Sequence, residues 1–113
     1  MKIQGRSFSV VGMGRSGVAA ANLLAKLGGD VLLSDRADGE GVRAAAARLD
    51  PAVRTQFGRE VVRAGDVAVL SPGIPPSASA YRIAHRVADE VIGEMELFFR
   101  LFPGTVVAVT GTD

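Results

Sequence analysis

Short apolar runs alternate along this chain with stretches whose hydrophobic positions have helical spacing. The run SFSVV, Ser7–Val11, ends at a glycine, which is typical of a buried strand. Ala20, Leu23, Leu24 and Leu27 then follow the i, i+3, i+4, i+7 spacing of one helix face. Similar apolar runs predict strands at 31–33, 53–57, 67–70, 90–92 and 105–109. Helical patterns predict a first helix from Arg15 and further helices at 42–49, 79–88 and 94–102.

Strands of four or five apolar residues separated by helices are typical of a parallel sheet that is buried on both faces. The pattern therefore predicts the α/β fold class, as a Rossmann-like parallel sheet of about five strands with helices on both faces. Pro103 and Gly104 interrupt the last helical pattern, and no earlier boundary is visible. We expect residues 1–104 to form one domain, with 105–113 beyond its boundary.

The composition of the chain is that of one globular domain. It has 113 residues, 48% of them hydrophobic and 22% charged, and a net charge of +1 from 13 basic and 12 acidic side chains. That balance argues against a surface for nucleic acid or a membrane. The chain has no cysteine, which excludes disulfides and thiolate metal sites, and we assign no metal site. Met1 suggests a natural start, no signal peptide or membrane span is visible, and we expect a cytoplasmic location.

A glycine-rich loop, Gly-Met-Gly-Arg-Ser-Gly at 12–17, lies between the first predicted strand and the first predicted helix. In this context the first glycine makes a tight turn, the second lets a phosphate approach the backbone and the third lets helix pack on strand. N–H groups at the helix start then face an anion. The pattern predicts phosphate binding by Gly14, Arg15, Ser16 and Gly17, with a tight turn that binds nothing as the alternative.

Asp35 stands at the tip of the second predicted strand, 18 residues after Gly17. An acid at about this distance binds a ribose hydroxyl in dinucleotide enzymes, so the residues alone make NAD the first interpretation. A helix cap or a solvated loop acid is the alternative for Asp35. Arg36 could pair with Asp35, contact a ligand or remain solvated.

A proline-rich loop, Ser-Pro-Gly-Ile-Pro-Pro at 71–76, follows the fourth predicted strand. Ligands of open α/β sheets bind at the carboxyl ends of the strands, where this loop must lie. Three prolines and a glycine restrict its backbone, so Ser71, Pro72 and Gly73 could form a stiff wall of a pocket. The alternative is a rigid turn into the next helix.

The remaining conspicuous side chains favour surface or packing positions. His85 lies on a predicted helix among arginines, so we expect it on the surface. Packing is expected for Met13, Met95, Phe98, Phe99, Leu101 and Phe102. Part of the aromatic face could instead contact another domain, which would leave an apolar patch exposed in this chain.

Five segments together resemble the N-terminal domain of the Mur ligase family. They are VVGMGRSG at 10–17, LLSDR at 32–36, VLSPGIP at 69–75, GEMELF at 93–98 and VAVTGT at 107–112. The glycine loop alone would not separate this family from dehydrogenases, whereas SPGIP and GEMELF are specific. Their form is most similar to the members of the family that add D-glutamate.

The resemblance implies an ATP-dependent amide ligase of peptidoglycan synthesis, which joins D-glutamate to UDP-N-acetylmuramoyl-L-alanine. ATP and Mg²⁺ would be used by central and C-terminal domains, so this chain would be inactive alone and would bind no cofactor. Its domain at 1–104 would hold the UDP part of the substrate, as a monomer. The implied binding residues are Gly14, Arg15, Ser16, Gly17, Asp35, Arg36, Ser71, Pro72 and Gly73.

The same resemblance makes 105–113 the first strand and the start of the ATP phosphate loop of the central domain. Gly111 and Thr112 would begin that loop, and Gly-Lys-Ser or Gly-Lys-Thr would follow. Asp113 stands where the family commonly has Asn. Two alternatives stay open, namely an NAD(P)-binding domain of an oxidoreductase or regulatory sensor and the N-terminal part of another Mur-type ligase.

Overall fold

The computed structural model describes residues 1–104, which contain five strands and four helices. The strands are β1 (Ser7–Val11), β2 (Asp30–Asp35), β3 (Arg54–Phe57), β4 (Val67–Leu70) and β5 (Glu90–Gly93). The helices are α1 (Arg15–Lys26), α2 (Glu40–Ala46), α3 (Ser79–Val87) and α4 (Glu94–Leu101). The strand predicted at 105–109 lies outside the described residues.

The strands form one parallel sheet in the order β3-β2-β1-β4-β5. Val10 at the centre of β1 stands beside Leu33 of β2 and Val69 of β4. The order reverses between β1 and β4, because the chain after β1 leads to one side of the sheet and the chain after β4 to the other. Ligands of open α/β sheets bind in the crevice at such a point. The predicted α/β class with a Rossmann-like sheet is confirmed.

Both faces of the sheet are covered, because alternate residues of each strand point to opposite sides. On one face, the side chains of Phe8 and Val10 pack with Leu24 of α1 and Leu97 of α4. On the other, residues such as Val11 pack against α3 through Ala80 and Ala84. The two apolar clusters hold the carboxyl ends of the central strands, β1 and β4, in place.

The edge of the sheet differs from the predicted pattern. Arg54 and Thr55 of β3 are exposed, so this strand is not buried on both faces. No helix joins β3 to β4 among the described residues, and the connection at 58–66 is irregular. Buried serines anchor it, since the N–H of Val61 donates to Oγ of Ser34 and that of Arg63 to Oγ of Ser9, each at 2.9 Å. These hydroxyls supply the acceptors that an irregular backbone needs at a sheet surface.

A buried polar cluster occupies the amino edge of the sheet. Oδ2 of Asp66 accepts the hydroxyl of Ser9 at 2.8 Å and Nε–H of Arg63 at 2.7 Å. The same guanidinium donates to the carbonyl of Phe8 at 2.9 Å. The cluster satisfies buried polar groups at the end of the sheet away from the glycine loop.

The prediction that Met95, Phe99 and Phe102 pack in the core is wrong. Their exposed fractions are 57%, 51% and 47%, with Met95 and Phe99 on α4 and Phe102 immediately after it. For the two phenylalanines this agrees with the alternative, an exposed apolar patch. Leu97 is fully buried instead, and Phe98 and Leu101 are half-buried. The apolar spacing of this helix fits two stripes, and only the packing of α4 on α1 and the sheet determines which is buried.

Candidate ligand-binding site at the carboxyl edge

The turn that follows β1 depends on the glycine at its first position. Gly12 has a φ of +110°, which L side chains rarely adopt, and its N–H donates to the carbonyl of Ser34 at 2.9 Å. A Cβ added to Gly12 would stand 2.8 Å from Cβ of Ser71. The glycine loop and the proline-rich loop after β4 are therefore in direct contact.

The fold requires glycine at position 17 for steric reasons, whereas position 14 has room for a side chain. A Cβ on Gly17 would lie 1.8 Å from the carbonyl oxygen of Gly12, so α1 packs on the end of β1 only through a glycine. A Cβ on Gly14 would meet nothing within 4 Å. Gly14 is the N-cap of α1 and has an extended backbone that any residue adopts. Its surroundings are open, as the approach of a ligand to the backbone requires.

The first turn of α1 presents free N–H donors beside Gly14. The first helical hydrogen bond runs from the N–H of Val18 to the carbonyl of Gly14 at 3.0 Å. The N–H groups of Arg15, Ser16 and Gly17 consequently have no acceptor within the helix. No acid occupies the first turn of α1, and Arg15 is exposed. These donors, the helix dipole and the arginine all favour an anion.

Asp35 holds the glycine loop in place, a role that the sequence did not predict. Its Oδ2 accepts the N–H of Met13 and its Oδ1 that of Ala37, both at 2.8 Å. Asp35 is the last residue of β2, which is longer than the predicted 31–33. Each oxygen keeps a lone pair that could accept a further hydrogen bond. The carboxylate orders the backbone on both sides of the crevice.

A cavity of about 200 Å³ lies in the crevice between the two loops. It brings together the predicted Asp35, Arg36, Ser71 and Gly73, and it is also lined by Gly12, Glu60, Ile74, Pro75 and Ala78. A second cavity of about 450 Å³ shares Arg36, Glu60 and Ala78 with the first and adds Arg59. Arg59 and Glu60 were missed from the sequence, because they belong to the irregular connection after β3.

Gly14, Arg15 and Pro72 line other cavities, whereas Ser16 is exposed and Gly17 is buried in the first turn of α1. Gly14 and Arg15 border a cavity of about 450 Å³ between α1 and α2, together with Asn22 and Arg48. Pro72 borders a cavity of about 250 Å³ on the side of α3 and β5. The two groups of predicted residues therefore meet at Gly12 rather than lining one closed pocket.

Residues 6–93 match the family described as "Mur ligase MurD-like, N-terminal domain". The chain belongs to this family. It is 40% identical over 106 residues to the UDP-N-acetylmuramoylalanine–D-glutamate ligase of Aquifex aeolicus, a match that covers 94% of the chain and 22% of the relative. The protein of the same name in Salinibacter ruber is 41% identical over 107 residues, covering 93% and 23%. That of Geobacter metallireducens is 37% identical over 117 residues, covering 100% and 26%.

This MurD-like domain spans about a quarter of the length of the curated relatives that it matches. The matched residues contain the glycine loop, the proline-rich loop and all five strands, whereas α4 begins immediately after them. The predicted relationship to the D-glutamate-adding Mur ligases is confirmed.

Glu94 of the MurD-like domain is a buried acid that the sequence analysis did not single out. Only 3% of its surface is exposed, and neither carboxyl oxygen has a hydrogen-bond partner among residues 1–104. Oε2 lies 3.4 Å from the position that a Cβ of Gly17 would take. Burial raises the pKa of Glu94, and the Ser16 hydroxyl opposes this rise. Nothing in the spacing of GEMELF separates this acid from an ordinary first-turn glutamate.

The histidine of the MurD-like domain lies on the surface. Nδ1 of His85 lies 3.0 Å from the carbonyl of Tyr81 on the exposed side of α3, in agreement with the predicted surface position. Residues 1–104 hold no cluster of three or more acids and histidines that could bind a metal ion. None of their helices is both long and apolar enough to cross a membrane.

Proposed function

We propose that this chain is the UDP-binding N-terminal domain of an ATP-dependent ligase, which adds D-glutamate to UDP-N-acetylmuramoyl-L-alanine in peptidoglycan synthesis. The relatives that share 37–41% of its residues are named for that reaction. The observation that carries the proposal is Gly14, which stands in open space beside three free N–H groups. A diphosphate is the part of such a substrate that these donors suit.

In this proposal the diphosphate contacts the backbone of Gly14, Arg15, Ser16 and Gly17. Because backbone N–H groups do the binding, the side chain of Arg15 adds only a positive charge. The uridine lies in the crevice between the two loops, beside Asp35, Arg36, Ser71 and Gly73. Pro72 of the same loop is assigned to the site as well, and it borders the neighbouring cavity. The extended cavity at Arg36 and Arg59 leaves room on the side away from the glycine loop.

The proposed reaction needs domains beyond the one formed by residues 1–104. We assign 1–104 to UDP binding and 105–113 to the first strand and phosphate-loop start of a central ATPase domain, with Gly111 and Thr112 beginning that loop. Residues 105–113 lie outside the described part of the chain. ATP and Mg²⁺ would act in the central and C-terminal domains, and this chain alone would be inactive, monomeric and cytoplasmic.

An amide NMR titration with UDP, and separately with NADH, tests the proposal. We expect UDP to shift the resonances of Gly14, Ser16 and Gly17 together with those of Asp35 and Gly73, and NADH to shift none of them specifically. Shifts with NADH at the same residues would favour a dinucleotide-binding domain instead. The absence of shifts with UDP, in a chain shown to be folded, would contradict UDP binding by this domain.

A further inference from the structure

We propose that Glu94 is a positioning residue of the glycine loop, and that its carboxyl group must be neutral for the loop to hold a diphosphate tightly. The inference rests on the proposed function, since it concerns the same anion site. It adds that diphosphate binding is coupled to a proton on a residue that does not touch the ligand. The affinity should therefore fall as pH rises.

Glu94 lies close to the start of α1. It is the first residue of α4, and its Oε2 lies 3.4 Å from the position that a Cβ of Gly17 would take. The same turn holds the N–H groups of Arg15, Ser16 and Gly17, which have no acceptor within the helix. The buried carboxyl and the proposed anion site therefore lie at the same end of α1. A negative charge on Glu94 and a bound anion would repel each other, and the low exposure of Glu94 limits the screening of this repulsion by water.

A negative charge on Glu94 would lack stabilising partners. A buried carboxylate is normally stabilised by hydrogen bonds from N–H groups or by a cation. The Ser16 hydroxyl is a neighbour that favours the charged form, but neither oxygen of Glu94 makes a hydrogen bond to a group among residues 1–104, and 3% exposure leaves little contact with water. Burial accordingly raises the pKa of Glu94. The surroundings of Glu94 therefore disfavour its charged form relative to a glutamate in water.

The ionisable groups on the neighbouring elements of residues 1–104 do not provide a cation for Glu94. Arg15 on α1 is exposed, and Glu96 on α4 is bonded to Arg100. Arg100 also pairs with Glu90 at the far end of β5. Strands β1 and β4 carry no ionisable side chain. Asp35, at the end of β2, accepts backbone N–H groups, and His85 lies on α3 across the sheet.

Linkage gives the direction of the effect. If an anion at the loop favours the protonated form of Glu94, the protonated form must favour the anion by the same factor. A rise in pH through the titration of Glu94 then weakens binding, by up to about tenfold for each unit by which the ligand shifts the pKa. A glutamine keeps the shape of the protonated acid and cannot ionise.

The test is the affinity of the chain for UDP-glucose, whose diphosphate diester and uracil both keep their charge between about pH 5 and about pH 8. We expect the parent to bind several-fold more weakly at the upper end of this range. Glu94→Gln should keep the low-pH affinity throughout. Glu90→Gln removes the same charge at the opposite end of β5 and should follow the parent. A Glu94→Gln variant with the pH slope of the parent, or a parent without a slope, would overturn the inference.

A second measurement keeps the two proposals separate. The side-chain carboxyl of Glu94 is titrated by carbon NMR in the parent, without ligand and with inorganic pyrophosphate. The inference predicts titration above the ordinary glutamate range and a further rise with pyrophosphate. Titration in the ordinary range, or no response to pyrophosphate, would overturn it even if Glu94→Gln did not fold. If the parent binds pyrophosphate in this way but no UDP-glucose, the proposed function fails and the proton-linked anion site stands.

Discussion

The carboxylate of Asp35 accepts the backbone N–H of Met13 at 2.8 Å, and this bond joins the end of β2 to the glycine loop after β1. Its other oxygen accepts the N–H of Ala37 at the same distance. One side chain thus orders the backbone on both sides of the crevice. The bond therefore restrains the backbone of the glycine loop at Met13, immediately before Gly14.

Replacing Asp35 by alanine should disturb the loop more than the fold. Both N–H groups lose their acceptor but stay close to water, so the free energy of unfolding should fall by only about 1 kcal/mol. The amide resonances of Met13 and Gly14 should move, and UDP should bind at least about tenfold more weakly. Asp38→Asn, which removes an exposed charge paired with Arg43, is the control. Unchanged UDP affinity in Asp35→Ala would refute the positioning role.

Gly14→Val and Gly17→Ala should have opposite effects. A Cβ at Gly14 would meet no atom within 4 Å, so the free energy of unfolding of Gly14→Val should change by no more than about 1 kcal/mol while UDP binding is lost. Alanine at Gly17 would stand 1.8 Å from a backbone carbonyl, and we expect a loss of about 3 kcal/mol or more. Urea unfolding and UDP titration of both variants separate the effects. A Gly14→Val variant that binds UDP like the parent would contradict the phosphate-binding interpretation.

Ser9→Ala should reduce stability and leave ligand binding intact. The substitution removes a buried hydroxyl that donates to Asp66 and accepts the N–H of Arg63. Leaving such groups without a partner costs about 1–3 kcal/mol. The cluster lies at the amino edge of the sheet, so UDP should bind the folded variant as it binds the parent. Ser7→Ala, at the half-buried start of the same strand, is the control, and an equal loss of stability there would count against the cluster.

The pH dependence of stability should change when Glu94 becomes glutamine. Its pKa is raised in the folded chain, so its proton stabilises the fold fully below the unfolded glutamate value of about 4.3. That contribution is lost as pH rises through the folded pKa. The free energy of unfolding of the parent should therefore fall relative to Glu94→Gln across this window. Urea unfolding at successive pH values measures the difference, and two parallel curves would show that burial does not shift the group.

The local pattern of the sequence was enough to predict the strands, the helices and the fold class. Apolar runs such as Val67–Leu70 and the helical spacing in α1 reflect periodicities that belong to each element alone. The glycine loop was likewise recognisable, because Gly12 and Gly17 serve contacts that recur wherever a strand leads directly into a helix. Boundaries were less accurate, as at β2, where hydrogen bonding to both neighbours extends the strand.

The sequence by itself determined which elements form and which loops carry glycine, proline and acid, because these depend on residues close together in the chain. Only the tertiary structure decided that Asp35 holds Met13, that Gly12 touches Ser71 and that Glu94 is sealed beneath Gly17. It also decided that Met95 and Phe99 face outward. Burial and hydrogen bonding at these residues depend on partners tens of positions away in the chain. The periodicity within one strand or helix does not specify which distant residues the folded sheet places beside it.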